Sequence, residues 1–269
     1  MISSLNIITN GTEQSFDPKK HEQHRVDLYN QTKGSLKGFD CPDCMNRGNF
    51  AYLYTENGYC EMVLRPCKCM KIRESLHAIE KSGLSDVMKK LTFDSFNAST
   101  DWQEYIKIKA KSFVKDGKGK WFYIGGQVGC GKTHICTAVT ISLFMQGKSG
   151  LYMLWRDKTA ELKGLMNTDS YDKKIEELKK AEVLYIDDFL KTPNNNKPTS
   201  ADINLAFEIL NYRYINKLIT VISSEWILSE VIDFDEATGS RIKELTGDYL
   251  LTVSKSSKKN YRLRGAYND

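Results

Sequence analysis

The sequence has no apolar run of about 18 residues, so no helix is expected to span a membrane. Met1–Asn10 carries neither the basic flank nor the apolar core of an export leader, so secretion is not expected. Charge of one sign is also scarce. A formal net charge of +5 over 269 residues permits a nucleic-acid partner without arguing for one. Cysteines do not come in an even set: there are seven, and five fall between Cys41 and Cys69. An odd, clustered set in a chain with no export signal points to metal ligation in a reducing cytoplasm, not to a disulfide framework. What remains is an ordinary globular composition, 41% hydrophobic and 27% charged, long enough for one sizeable domain and a smaller one.

The smaller one comes first. Residues 1–40 are polar, with one helix expected from about Lys19 to Gln31 and a break at Gly34 and Gly38. Cys41-Pro42-Asp43-Cys44 then opens a segment that Cys67-Lys68-Cys69 closes, and Asn49–Tyr54 and Glu61–Leu64 read as a hairpin between them. Two cysteine pairs on neighbouring turns bring together the four thiolates of a tetrahedral Zn²⁺ site, namely Cys41, Cys44, Cys67 and Cys69. The second pair is C-x-C, so Cys60 stays open as a substitute for Cys67 or Cys69. Met70–Lys81 and Ser85–Leu91 are expected helices, and another runs from about Asp101 to Val114.

The most informative stretch is Gly125–Thr133, GGQVGCGKT. From Gly126 it fits G-x-x-x-x-G-K-[S/T], after the apolar run Trp121–Ile124 and before helical spacing over Ile135–Phe144. Gly126, Gln127, Val128, Gly129, Cys130, Gly131, Lys132, Thr133 and His134 are therefore expected around the phosphates of ATP. Lys132 would act on the β/γ-phosphates, and the Thr133 hydroxyl would ligate Mg²⁺. Val183–Asp188 is an apolar run ending in two acids, a Walker B pattern. Asp187 would complete the Mg²⁺ shell, and Asp188 would orient or deprotonate the attacking water. Strands are expected at Trp121–Ile124, Leu151–Trp155, Val183–Asp188 and Leu218–Ile222. Helices between them predict a parallel sheet covered on both faces. The fourth strand ends at Ser223-Ser224-Glu225, where Ser224 is placed either as a γ-phosphate sensor or as a cap for the next helix. Gly239-Ser240-Arg241 is read as opening a helix. Lys255–Arg264 is basic with Tyr261 interleaved, either a single-strand contact or a solvated tail.

Several of these residues together resemble the DnaC/DnaI-type replicative helicase loaders of the AAA+ ATPases, in their phage or prophage branch. In order, they are the cysteines, Thr92-Phe93-Asp94-Ser95-Phe96, the phosphate loop, Ile186-Asp187-Asp188, Tyr212-Arg213-Tyr214, Ile222-Ser223-Ser224 and Gly239-Ser240-Arg241. The resemblance implies an α/β AAA+ ATPase domain at 81–269 after a zinc-binding, helicase-gripping domain at 1–80, in the cytoplasm of a bacterial host. It implies that Arg241 is the arginine finger completing a neighbouring subunit's site, so the ATPase domains would self-associate, and that Arg262 is a sensor. It further implies a DnaB-type hexameric helicase and single-stranded DNA as partners. The family often has Asn after Ser-Ser where this chain has Glu225, which splits the first-sensor role between Ser224 and Glu225. A transposase-associated ATP-binding helper and a small-molecule kinase are the rival readings.

Overall fold

A computed structural model describes residues 17–79, 86, 90–193 and 196–263. Most of the helix expected over Ser85–Leu91, and the end of the basic stretch at Arg264, lie outside those residues. By internal contacts the chain divides into two compact units, Met1–Met70 and Lys71–Asp269.

In the first unit, α1 (Pro18–Gln31) starts where Pro18 presets the helical φ and the Asp17 carboxylate accepts from the N–H groups of Lys19 and Lys20. β1 (Asn49–Glu56) and β2 (Tyr59–Pro66) pair antiparallel. Asn57 and Gly58 connect them at φ 48° and 81°, the left-handed pair that matches a two-residue hairpin turn to the strand twist. Asn30 fastens helix to hairpin, its amide donating to the Ala51 carbonyl (2.8 Å) and accepting from the Ala51 N–H (3.0 Å). α2 (Cys69–Ile79) leaves this unit.

In the second unit, α3 (Asp101–Asp116) precedes β3 (Trp121–Gly126), α4 (Lys132–Met145), β4 (Gly150–Leu154), α5 (Trp155–Gly164), α6 (Asp169–Lys180) and β5 (Val183–Asp187). Then come α7 (Ser200–Ile215), β6 (Ile219–Ser224), α8 (Leu228–Phe234), α9 (Glu236–Thr246) and β7 (Leu250–Val253). The sheet is parallel in the order β4-β5-β6-β3-β7. Every residue of β3, β5 and β6 is buried, as strands covered on both faces require. Trp121, Tyr123, Ile186, Phe189, Ile209 and Ile222 anchor the core. In this parallel sheet the loop leaving the C-terminal end of β3 opens on the same edge as the tip of its neighbour β6 and, one strand further, that of β5.

Three expectations are corrected here. A fifth strand, β7, joins the four expected. Trp155 starts α5 and does not end β4. Gly239-Ser240-Arg241 lies inside α9, whose N-terminus is capped earlier by the Asp235 carboxylate on the Thr238 N–H (2.8 Å). Gly239 is there for packing: a Cβ would sit 2.5 Å from an Ile232 side-chain carbon, so only glycine lets α8 and α9 approach.

Candidate functional site

The phosphate loop turns tightly off β3. Gly126 has φ 110°, and a Cβ on it would lie 2.1 Å from the Val253 carbonyl oxygen, so β7 closes on bare backbone. Gly131, at φ 94°, is the N-cap of α4 and points the first helical N–H groups back over the loop. The Lys132 ammonium is buried and donates to the carbonyls of Gly126 (2.9 Å) and Gln127 (2.7 Å). Burial pulls its pKa down, and the charges of Glu225 and Asp188 are among those that oppose the shift.

Below the loop, Thr133 and Asp187 meet. The Thr133 hydroxyl donates to the Asp187 carboxylate at 3.1 Å, the Tyr152 hydroxyl donates to its other oxygen at 3.3 Å, and the Ser223 hydroxyl donates to it from β6. Asp187 is 4% exposed. Burial pushes its pKa above the ordinary carboxylate value, while hydrogen bonds from Ser223, Tyr185 and Thr133 hold it down. A threonine hydroxyl touching a buried, multiply supported carboxylate at a helix N-terminus is a donor set suited to a hard divalent cation such as Mg²⁺.

Asp188 follows at φ 53°, with its N–H on the Ser223 hydroxyl (3.1 Å) and its carboxylate on the Lys191 ammonium (3.0 Å). Lys191 also pairs with Glu225 at 2.6 Å. A cavity of about 440 Å³ is lined by Gly126, Gln127, Val128, Lys191, Glu225 and Trp226 among others, on the open side of the loop.

Other expected site residues stand elsewhere. Ser224 is fully buried, its hydroxyl donating to the Phe189 carbonyl (2.8 Å) and accepting from the Trp226 N–H (3.1 Å), so it braces the loop after β5 and offers nothing to a phosphate. That overturns Ser224 as a nucleotide contact and leaves Glu225 facing the cavity. Cys130 is buried, so its side chain does not face the cavity's solvent. The His134 ring takes the Thr92 carbonyl (2.9 Å) and the Ser95 hydroxyl (3.1 Å) and packs edge-on to Phe96, which ties the Thr92–Phe96 segment to α4. Arg262 is exposed on a short turn whose neighbours touch the loop, with the Tyr261 N–H on the Gly129 carbonyl (2.9 Å) and the Ser256 N–H on the Gln127 side chain (2.8 Å). Arg241 donates to Asn211 (3.0 Å) and to the Ala237 carbonyl (2.6 Å), with its guanidinium over the rings of Phe207 and Tyr214. All these partners sit on α7 and α9.

In the first unit, the sulfurs of Cys41, Cys44, Cys67 and Cys69 lie within 4.8 Å of one another, all buried. Two separations are 3.8 and 3.5 Å, close to the ~3.8 Å edge of a tetrahedron with Zn–S bonds of about 2.3 Å. Burial works against a Cys44 thiolate. The Gly48 N–H at 3.3 Å and the neighbouring thiols outweigh it, bringing the pKa down to about 7. The set fits a thiophilic cation. Cys60 is not in it; it pairs with Thr55 one rung from the hairpin turn.

Residues 60–235, more than half of the chain, match the family of the IstB-like ATP binding protein. The phage-like element PBSX protein XkdC of Bacillus subtilis is 31% identical over 265 residues, covering 94% of this chain and 97% of that protein. The uncharacterized protein YqaM of the same organism is 31% identical over 202 residues, 70% of this chain and 63% of YqaM. A replicative helicase loader DnaC, from Buchnera aphidicola of Acyrthosiphon pisum, is 25% identical over 133 residues, 48% of this chain and 53% of that protein. Among solved structures, a DnaC helicase loader superposes with a TM-score of 0.52 at 20% identity, over 63% of this chain and 98% of that one. The second unit thus has the DnaC-like AAA+ fold.

Proposed function

We propose a function from one premise: the chain belongs to the family of IstB-like ATP-binding proteins. Within that family it acts as an ATPase that loads a hexameric replicative helicase onto single-stranded DNA. The observation that carries the ATPase part is the contact between the Thr133 hydroxyl and the Asp187 carboxylate, beneath a loop that ends in a buried lysine. The loader part rests on DnaC relatives, and on a four-cysteine unit placed ahead of the ATPase domain.

Lys132 exchanges the two loop carbonyls for phosphate oxygens, and the N–H groups at the start of α4 hold the remaining charge. Thr133 and Asp187 would hold Mg²⁺, which supplies positive charge to the phosphates. Asp188 orients the attacking water, and Glu225 takes the sensing position where Ser224 was expected. Arg241 leaves α7 to serve a neighbouring subunit's nucleotide, so hydrolysis depends on self-association. The cysteine set holds a structural Zn²⁺, because four protein thiolates leave no coordination position for a substrate. Residues 1–80 grip the helicase, and 81–269 form the ATPase domain.

The test mixes the full-length protein with the purified replicative helicase of its own cell and circular single-stranded DNA, with ATP or ADP. Helicase retained on the circle only with protein and ATP supports the reading. No complex with the helicase under either nucleotide refutes the loader, and ADP formed only with a small-molecule acceptor present, its phosphoryl group on that acceptor and not free in solution, would favour a kinase.

A further inference from the structure

Lys191 is unlike the other lysines of the second unit in where it is held. It lies on a turn that β6 fixes from three sides: the Phe189 N–H donates to the Ser223 carbonyl (2.8 Å), the Ser224 hydroxyl to the Phe189 carbonyl (2.8 Å), and the Trp226 indole to the Leu190 carbonyl (3.1 Å). Asp188 and Leu190 both have positive φ, 53° and 59°, so the turn is a specific and costly shape, not a slack loop. It ends with the Lys191 side chain bridging Asp188 and Glu225 on the wall of the cavity formed by Gly126–Val128.

The named groups at this end of the loop balance one another before any triphosphate arrives. Asp187, Asp188 and Glu225 supply three carboxylates around this end of the loop. Lys132 answers at the loop itself, and Lys191 and Lys255 answer on the cavity wall. A terminal phosphate in this cavity would face the Glu225 carboxylate on its wall, with Asp188 on the other side of Lys191. The Lys191 ammonium already lies between those two carboxylates and has to move only within the cavity to meet the phosphate.

We propose that Lys191 is a γ-phosphate contact of the chain's own site. It exchanges the Asp188–Glu225 pair for the terminal phosphate and thereby makes the site prefer triphosphate to diphosphate. The exchange also frees Asp188 from an ion pair at the moment a water must be oriented. The inference rests on the nucleotide-site reading above and specifies which part of the nucleotide this side chain reads. Ammonium–phosphate and ammonium–carboxylate hydrogen bonds are both charge-assisted, so the exchange keeps the ammonium on acceptors of the same class.

The experiment measures Mg²⁺-dependent affinity of the full-length protein for ATPγS and for ADP by calorimetry, in wild type, Lys191→Met and Lys191→Arg. In Lys191→Met, ATPγS affinity falls about tenfold, roughly 1.4 kcal/mol, while ADP affinity stays within about twofold. Lys191→Arg regains most of the ATPγS preference, because charge at that place is what matters. Retained ADP binding shows that the turn and loop remain folded. An equal loss for both nucleotides, or an unchanged ratio, overturns the inference and leaves the phosphate-loop site standing. Binding of neither nucleotide by wild type overturns the site itself.

Discussion

Replacing Ser223 by alanine isolates the support of the metal-side carboxylate. The Ser223 hydroxyl donates to Asp187 and accepts from the Asp188 N–H, so the substitution removes one hydrogen bond to a buried charge and orphans one N–H. A hydrogen bond to a charged group contributes about 1.5–3 kcal/mol, so losing this one raises the Asp187 pKa further. It already lies above its ordinary value through burial. A carboxylate whose folded pKa is raised holds its proton more tightly in the folded state, so its effect on stability becomes less favourable as pH rises through that pKa. Ser223→Ala therefore loses more stability at pH 8 than at pH 5. Proton and Mg²⁺ compete for the same oxygens, so the acid limb of Mg²⁺ affinity in the presence of ATPγS moves to higher pH, and the affinity lost on substitution grows as pH falls. A Mg²⁺ titration followed by a fluorescent nucleotide, repeated from pH 5 to 8, reads both effects. Ser224→Ala is the control: it lowers melting temperature without moving the Mg²⁺ midpoint. Unchanged Mg²⁺ affinity in Ser223→Ala, or a larger loss in Ser224→Ala, refutes this account of the site.

Arg213 is fully buried and forms no ion pair among the described residues, donating to Thr220 and to the carbonyls of Leu178, Lys179, Ala181 and Ile219. Burial pulls its pKa down to about 9. Arg213→Met leaves those acceptors unpaired, at a cost of about 3–5 kcal/mol and a melting-point drop of roughly 10 °C in a thermal scan; a drop under about 3 °C would contradict it. For the cysteine set, native mass spectrometry of the full chain should find one metal equivalent, lost in Cys44→Ser and kept in Cys60→Ser. Chelation should raise hydrogen exchange within residues 17–70 while leaving β3 and β6 protected. Arg241→Ala should abolish turnover alone and regain part of it when mixed with Lys132→Ala, since each variant supplies what the other lacks; no recovery on mixing would remove the shared-site reading.

Much of this site is legible in the sequence where the chemistry is local. The loop Gly125–Thr133 is contiguous, and its glycines, lysine and threonine are fixed by a short-range turn into a helix. Asp187 is legible because an apolar run that ends in two acids marks the C-terminal end of a buried strand, and Asp187 is the last residue of β5. Ser223 and Ser224 show the limit. Adjacent strand residues face opposite ways, so choosing between them needs the register of β6 against its neighbours, which no window of sequence contains. β7 is four residues long and gains its identity from pairing with β3, more than a hundred residues away. Lys191 reads as a lone loop cation until Glu225 arrives from another strand. Cys60 was decidable: Asn57-Gly58 is the strong two-residue hairpin signal, and counting back from it pairs Cys60 with Thr55 at the tip, far along the hairpin from Cys67. The irregular C-x-C spacing is the weaker of the two signals.

The three cations of the proposed cycle are each satisfied inside the chain, and the kind of partner each has sets the order in which they respond. Lys132 rests on neutral carbonyls, and phosphate oxygens are stronger acceptors, so nucleotide alone suffices to draw it away. Lys191 rests on two carboxylates, so only a ligand with charge at the γ position competes, and diphosphate leaves it where it is. Arg241 rests on an amide, a carbonyl and two aromatic faces, each cation–π contact worth about 0.5–1 kcal/mol. None of these partners carries a charge, so on the proposed reading the nucleotide held by a second subunit competes for it. Under that reading occupancy, reading of the terminal phosphate and assembly follow one another, and turnover per chain at saturating ATP is expected to rise with protein concentration; a rate independent of dilution would refute the order.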